Sequence, residues 1–160
     1  WYLLVKNPWQ VAMSTDHPNG GAFVAYPEIV ALLMSRDYRR EVLKRLPANM
    51  VGRCVLPDLD REYTLNEIAI VTRAGPARML GLTNKGHLGI GADADVTVYT
   101  PGADIKAMFE LPRYVFKAGE LVVEQGEIRR VPFGPALVTE PSYDPGIVPR
   151  IRDWFEGNYS

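Results

Sequence analysis

Apolar positions fall into two different rhythms along the chain. In the first, the run Val11-Ala-Met13 ends in the polar string Ser14-Thr-Asp-His-Pro-Asn-Gly-Gly21, which predicts a buried strand over about Gln10–Thr15 entering a loop. Pro27 then opens Glu28-Ile-Val-Ala-Leu-Leu-Met34. Proline in a first turn, with an acid beside it, predicts a helix here. A second helix is predicted from about Arg36 to Leu46, and its Arg39, Arg40, Lys44 and Arg45 read as a solvated face rather than a phosphate patch. Pro47 to Asp60 has little period and is expected to be loop. Thr64-Leu-Asn-Glu67 has the spacing of a capping box. It opens a helix from Leu65 to about Ala74 that is apolar nearly all round, hence buried on most sides. Gly75-Pro76 is expected to break it, with one more turn closed by Gly81 in the left-handed conformation.

The second rhythm begins after Gly81. Asp95–Tyr99, Arg113–Phe116, Glu120–Glu124 and Glu127–Val131 read as short β segments. The joins at Lys117-Ala-Gly119 and Gln125-Gly126 carry the glycines that hairpins need. An antiparallel meander is predicted, then a Pro- and Gly-rich tail from Pro132 with a short helix over Pro149–Phe155. The fold class is α/β followed by β. A strand with a polar loop at its C-terminal end, followed by helices, is how a (β/α)8 barrel presents an active site. A whole barrel takes about 250 residues, so only its last units fit here.

Composition narrows the function. The 160 residues are 47% hydrophobic and 23% charged, with a net charge of -1, a globular composition. Near-neutral charge offers no general attraction for nucleic acid, and no apolar run is long enough to span a membrane. The single cysteine, Cys54, excludes an internal disulfide and makes the cytoplasm the expected compartment. The chain starts at Trp1, and Trp1–Val5 lacks the basic region of a signal peptide. The expectation is a C-terminal piece of a longer protein, with a processed start as the alternative.

The densest polar constellation is Ser14–Gly21, which brings a carboxylate (Asp16), an imidazole (His17) and an amide (Asn19) to a strand mouth. A carboxylate held there can bind metal or relay a proton. The same residues also make a good turn, and spacing alone leaves both readings open. Metal-ligand motifs are otherwise lacking, with only His17 and His87 as histidines. His87 reads as structural. Gly86, Gly89 and Gly91 precede a strand rather than a helix, so they are no phosphate loop. Cys54 lacks an activating environment. Asp93, Asp95 and Asp104 read as turn and strand-start residues.

Ser14-Thr-Asp-His17 resembles the last catalytic motif of the metal-dependent amidohydrolase superfamily. Ile68–Leu82 followed by Lys85–Val98 is similar to that superfamily's C-terminal signature, where the chain leaves the barrel for a small β-sandwich. Thr15–Gly21 with Tyr26-Pro-Glu-Ile29 and Asp60-Arg-Glu-Tyr63 resembles more narrowly the A-subunit family of formylmethanofuran dehydrogenases and of the related formyltransferase/hydrolase complexes.

The resemblance implies residues 1–82 as the end of an amidohydrolase barrel, 83–134 as β-sandwich strands and 135–160 as an extended tail. It implies Asp16 as the catalytic carboxylate beside the metal, taking the proton of the attacking water and passing it to the leaving amide nitrogen. His17 and Asn19 are expected in the substrate loop. A divalent metal, expected to be zinc, is implied in the longer protein, where other barrel strands supply histidines and a modified lysine absent here. The fragment alone is therefore expected to be inactive. The implied reaction forms or hydrolyses the N-formyl bond of a furan-amine one-carbon carrier. The implied partners are the rest of the barrel and the other subunits, among them one carrying molybdenum or tungsten in methane-forming organisms; the Pro-rich tail and the β edge are expected to touch such subunits. The competing expectations are a dihydroorotase- or hydantoinase-like enzyme acting on cyclic amides, and a non-catalytic interaction module.

Overall fold

The computed structural model describes residues 1–138 and 142–159. Helix α1 (Tyr26–Met34) carries Pro27 and Glu28 in its first turn, as the sequence predicts. Ser35 stops it in an extended conformation and in the same step caps α2 (Arg36–Leu43), its hydroxyl accepting from the Tyr38 N–H at 3.1 Å. Pro47–Asp60, expected as loop, contains a short helix α3 (Ala48–Val51) and a 3-10 turn at Leu56–Asp58.

The solvated face expected of α2 is wrong at Arg39, which is only 3% exposed. Its guanidinium donates to Leu32 O at 2.6 Å, Leu59 O at 3.0 Å and Arg61 O at 2.8 Å. Five donors on a rigid plane let arginine satisfy carbonyls from two segments at once.

The capping box forms as predicted. The Thr64 N–H donates to Glu67 Oε2 at 2.9 Å and the Glu67 N–H donates to Thr64 Oγ1 at 3.2 Å. It opens α4 (Leu65–Ala69). Gly75-Pro76 does not break the helix: residues Ile70–Ala74 widen into a π segment, and α5 (Gly75–Met79) continues beyond it. The wider turn accommodates the N–H that Pro76 lacks, and insertions of this kind mark kinks and functional sites. Gly81 (φ 70°) then ends α5. Leu82 N–H reaches Ala77 O at 2.9 Å and Gly81 N–H reaches Arg78 O at 3.2 Å, the double bond of a Schellman cap.

Strands β1 (Val96–Val98), β2 (Tyr114–Lys117), β3 (Glu120–Glu124) and β4 (Glu127–Ile128) form one antiparallel sheet in sequence order. Val115 faces Thr97 on one side and Val123 on the other, and a bulge follows it. Both hairpins turn in two residues with positive φ, Ala118-Gly119 and Gln125-Gly126, the twist-matched geometry. The described residues hold this single sheet and not the two facing sheets of a sandwich. A helix not anticipated, α6 (Ile105–Glu110), joins β1 to β2, capped by Asp104. It packs on α1.

The core gathers Leu3, Met13, Val30, Leu33, Tyr63, Ile68 and the fully buried Val71, with Ile105 and Phe109 of α6 against it. The last helix, α7 (Ile147–Tyr159), is longer than expected and has no buried residue. Part of the expected tail, residues 139–141 and 160, lies outside the described residues.

Candidate functional site

The segment leading to Asp16 is not the strand that the sequence predicts. Val11 is extended (φ -135°, ψ 146°), but no ladder partner lies beside this run among the described residues. A strand is defined by its neighbours, and here side chains and a helix replace them. Met13 N–H donates to Val71 O at 2.8 Å. The Tyr2 hydroxyl donates to Ala12 O at 3.0 Å and accepts from Ser14 N–H at 3.4 Å. Tyr2 is itself held through its carbonyl by the Tyr63 hydroxyl.

Asp16 sits in the left-handed region (φ 52°), which aspartate tolerates better than most residues. Its N–H donates to Ser14 Oγ at 3.2 Å and its carbonyl accepts from Gly20 N–H at 2.7 Å. A Cβ on Gly20 would lie 2.7 Å from Thr15 O and 2.9 Å from Asp16 Cβ, so only glycine fits this tight turn. The Asp16 side chain is exposed. Among the described residues neither a cation nor a hydrogen-bond donor engages its carboxylate. The adjacent Thr15 Oγ1 is buried without a hydrogen-bond partner.

His17 is exposed and stacks on Phe23, with centroids 4.0 Å apart and planes 20° apart. Asn19 is exposed in the same turn. The structure thus brings Asp16, His17 and Asn19 into one loop, and adds Phe23, which the sequence does not single out, and Tyr26, which it places only in the family-like string Tyr26–Ile29. Among the described residues no three of His, Cys, Asp and Glu gather as metal ligands. Asp16 suits a metal as one hard oxygen donor.

His87, which the sequence reads as structural, has both ring nitrogens engaged by backbone groups. Its Nδ1 accepts from Gly89 N–H at 3.1 Å, which leaves Nε2 to donate to Thr83 O at 2.9 Å. A cleft of about 800 Å³ lies between the α4–α5 helix and the sheet, walled by Leu65, Ile68, Leu82, Val96, Phe109 and Phe116. Four of its charges are paired with one another, while Arg73 donates to the Thr72 hydroxyl at 2.9 Å. Lys85 bonds Asp93 and Asp95, and Lys117 bonds Asp95. The two carboxylates hold the Lys85 ammonium above the ordinary lysine range, and Lys117 foremost holds the Asp95 carboxyl below the usual carboxylate range. Groups fixed in one charge state serve poorly as acids or bases.

The chain belongs to the amidohydrolase family, whose model matches residues 1–123. It is 41% identical over 157 residues to the A-subunit of the formyltransferase/hydrolase complex Fhc of Methylorubrum extorquens, covering 98% of this chain and 29% of that protein. It is 41% identical over 146 residues to protein FwdA of Methanocaldococcus jannaschii, covering 86% of this chain and 26% of that one. The crystal structure of the FhcABCD formyltransferase/hydrolase complex from M. extorquens with methylofuran matches at a TM-score of 0.86 and 41% identity, over 99% of this chain and 29% of the matched one. The chain spans less than a third of the length of these relatives.

Proposed function

We propose that the chain is part of an amidohydrolase subunit that forms or hydrolyses the N-formyl bond of a furan-amine one-carbon carrier. The observation that carries this reading is the rigid Asp16 loop, at the end of an extended segment, in a chain 41% identical to the A-subunit of a formyltransferase/hydrolase complex. The methylofuran in the matched complex supports the furan-amine class of substrate. Residues 1–82 then supply the last units of the barrel, and the remaining units supply the other metal ligands. By itself the 160-residue chain is inactive.

In hydrolysis, water adds to the formyl carbon and the C–N bond breaks, yielding formate and the free amine. Asp16 takes the proton of the attacking water and returns it to the amide nitrogen as that bond breaks. The Gly20 turn fixes its backbone, and the carboxylate, bonded to no other group among the described residues, is open to both transfers. When bound, a divalent metal such as zinc lowers the pKa of water toward neutrality; Asp16 provides one oxygen donor to it. His17 and Asn19 line the substrate side of the loop. The tail, the β edge and α7 face other subunits of the complex, in either a dehydrogenase or a formyltransferase setting.

The test measures formate release from an N-formylfurfurylamine-type substrate by the full-length protein and by its Asp16→Asn variant. Release by the former, falling by several orders of magnitude in the latter, supports the reading. Equal rates sink the role of Asp16. Turnover of cyclic amides in place of the formamide assigns the protein to the dihydroorotase- or hydantoinase-like class.

A further inference from the structure

Phe23 is 61% exposed at the entrance to α1, yet its ring is not loose. The His17 imidazole lies against it at 4.0 Å between centroids, and Tyr26 follows at 6.3 Å, each pair with planes 20° apart. Three near-parallel rings therefore run from the loop that carries Asp16 to the first turn of α1. The tight closure from Gly20 N–H to Asp16 O doubles the chain back far enough for residue 23 to meet residue 17. Both His17 and Phe23 remain exposed, so the stack presents π surface beside the one carboxylate of the loop.

We propose that the His17–Phe23 stack seats the furan ring of the carrier and directs the formamide at Asp16, an inference that rests on the formyl-bond reading above. A furan is flat and aromatic, and such rings pack on others in offset or tilted stacks. Only a methylene and an amide nitrogen separate it from the formyl carbon. The ring seat must therefore lie within a few ångström of the proton-handling group. His17 follows Asp16 directly in the chain, and consecutive Cα atoms are about 3.8 Å apart. Phe23 is then a specificity-determining residue: it holds the imidazole flat and offers its exposed edge to the seat, favouring a ring-bearing amide over an open-chain one.

The test uses the full-length protein and its Phe23→Leu and Phe23→Tyr variants with two substrates. These are N-formylfurfurylamine and N-formylbutylamine, which keeps the amide and lacks the ring. Unmodified protein is expected to prefer the furan amide in kcat/KM. Phe23→Leu is expected to cut that preference about tenfold through a higher KM, the scale of an aromatic stacking contact, and Phe23→Tyr to retain it. An unchanged preference in Phe23→Leu overturns the seat. Equal losses with both substrates also overturn it and assign Phe23 to packing against the remainder of the protein. Turnover of neither substrate by the unmodified protein overturns the formyl-bond reading itself, a result distinct from the other two.

Discussion

The backbone N–H of Met13 bonds the carbonyl of Val71 at 2.8 Å, and Pro76 is the reason that carbonyl is open. In an α-helix Val71 O would accept from Gly75, but Gly75 N–H goes instead to Ile70 O. In the π register its partner would be residue 76, a proline with no N–H to give. The carbonyl is left over by the helix and taken by the segment that carries Asp16. The widened turn thus anchors the segment that leads to Asp16.

The Met13 amide is accordingly expected to exchange slowly with solvent. Pro76→Ala restores a donor that competes for Val71 O. Hydrogen exchange at Met13 should then accelerate about tenfold, the net worth of roughly one hydrogen bond. Equal exchange in both proteins would show that Pro76 does not control this contact.

Arg39 joins the last turn of α1 to residues 59–61 through three carbonyls. Arg39→Lys keeps the charge but cannot span all three. We expect a loss of about 2–3 kcal/mol in urea unfolding. Arg40→Lys on the exposed side of the same helix should stay within about 0.5 kcal/mol. Similar values for the two would remove the special role of Arg39.

Asp95 accepts from Lys117, from the Ala118 N–H and from Lys85, and these hold its carboxyl below the usual range. A depressed carboxyl stabilises the folded state above its ordinary pKa and loses that contribution as pH falls through its folded value. Asp95→Asn should therefore lower stability at neutral pH by about 1–2 kcal/mol. The melting temperatures of the two proteins should converge below about pH 4, where the native carboxyl begins to lose its charge advantage. A constant gap between pH 7 and pH 2 would exclude this ion pair as the cause.

The elements legible in the sequence are those whose signal is local. Thr64 and Glu67 bond each other three residues apart, Gly81 caps within its own turn, and the meander follows from alternating residues and glycine turns. Asp16, His17 and Asn19 can be singled out because they are contiguous. What is not legible depends on residues distant in sequence. Arg39 is charged on a charged helix face, and the carbonyls of residues 32, 59 and 61 make it a buried residue. The Gln10–Thr15 run has a strand's pattern, but no strand among the described residues pairs with it. Gly75-Pro76 reads as a break because the pattern does not show Met13 waiting for a carbonyl. Asp104 preceding an apolar run is a cap signal for α6 that is easily mistaken for turn chemistry. Phe23 carries no signal at all until the Gly20 turn brings it against His17.

With one cysteine, the chain has no means of tying itself into a covalent ring. Asp95 makes one from charge: through its single carboxylate, Lys85 ahead of the sheet is joined to Lys117 at the hairpin, and the intervening residues become a closed loop. Such a tether shares with a disulfide the restriction of the residues it encloses, but it answers to different agents. A reductant leaves it intact, whereas acid or concentrated salt opens it, and either change can be reversed without any enzyme to re-form the link.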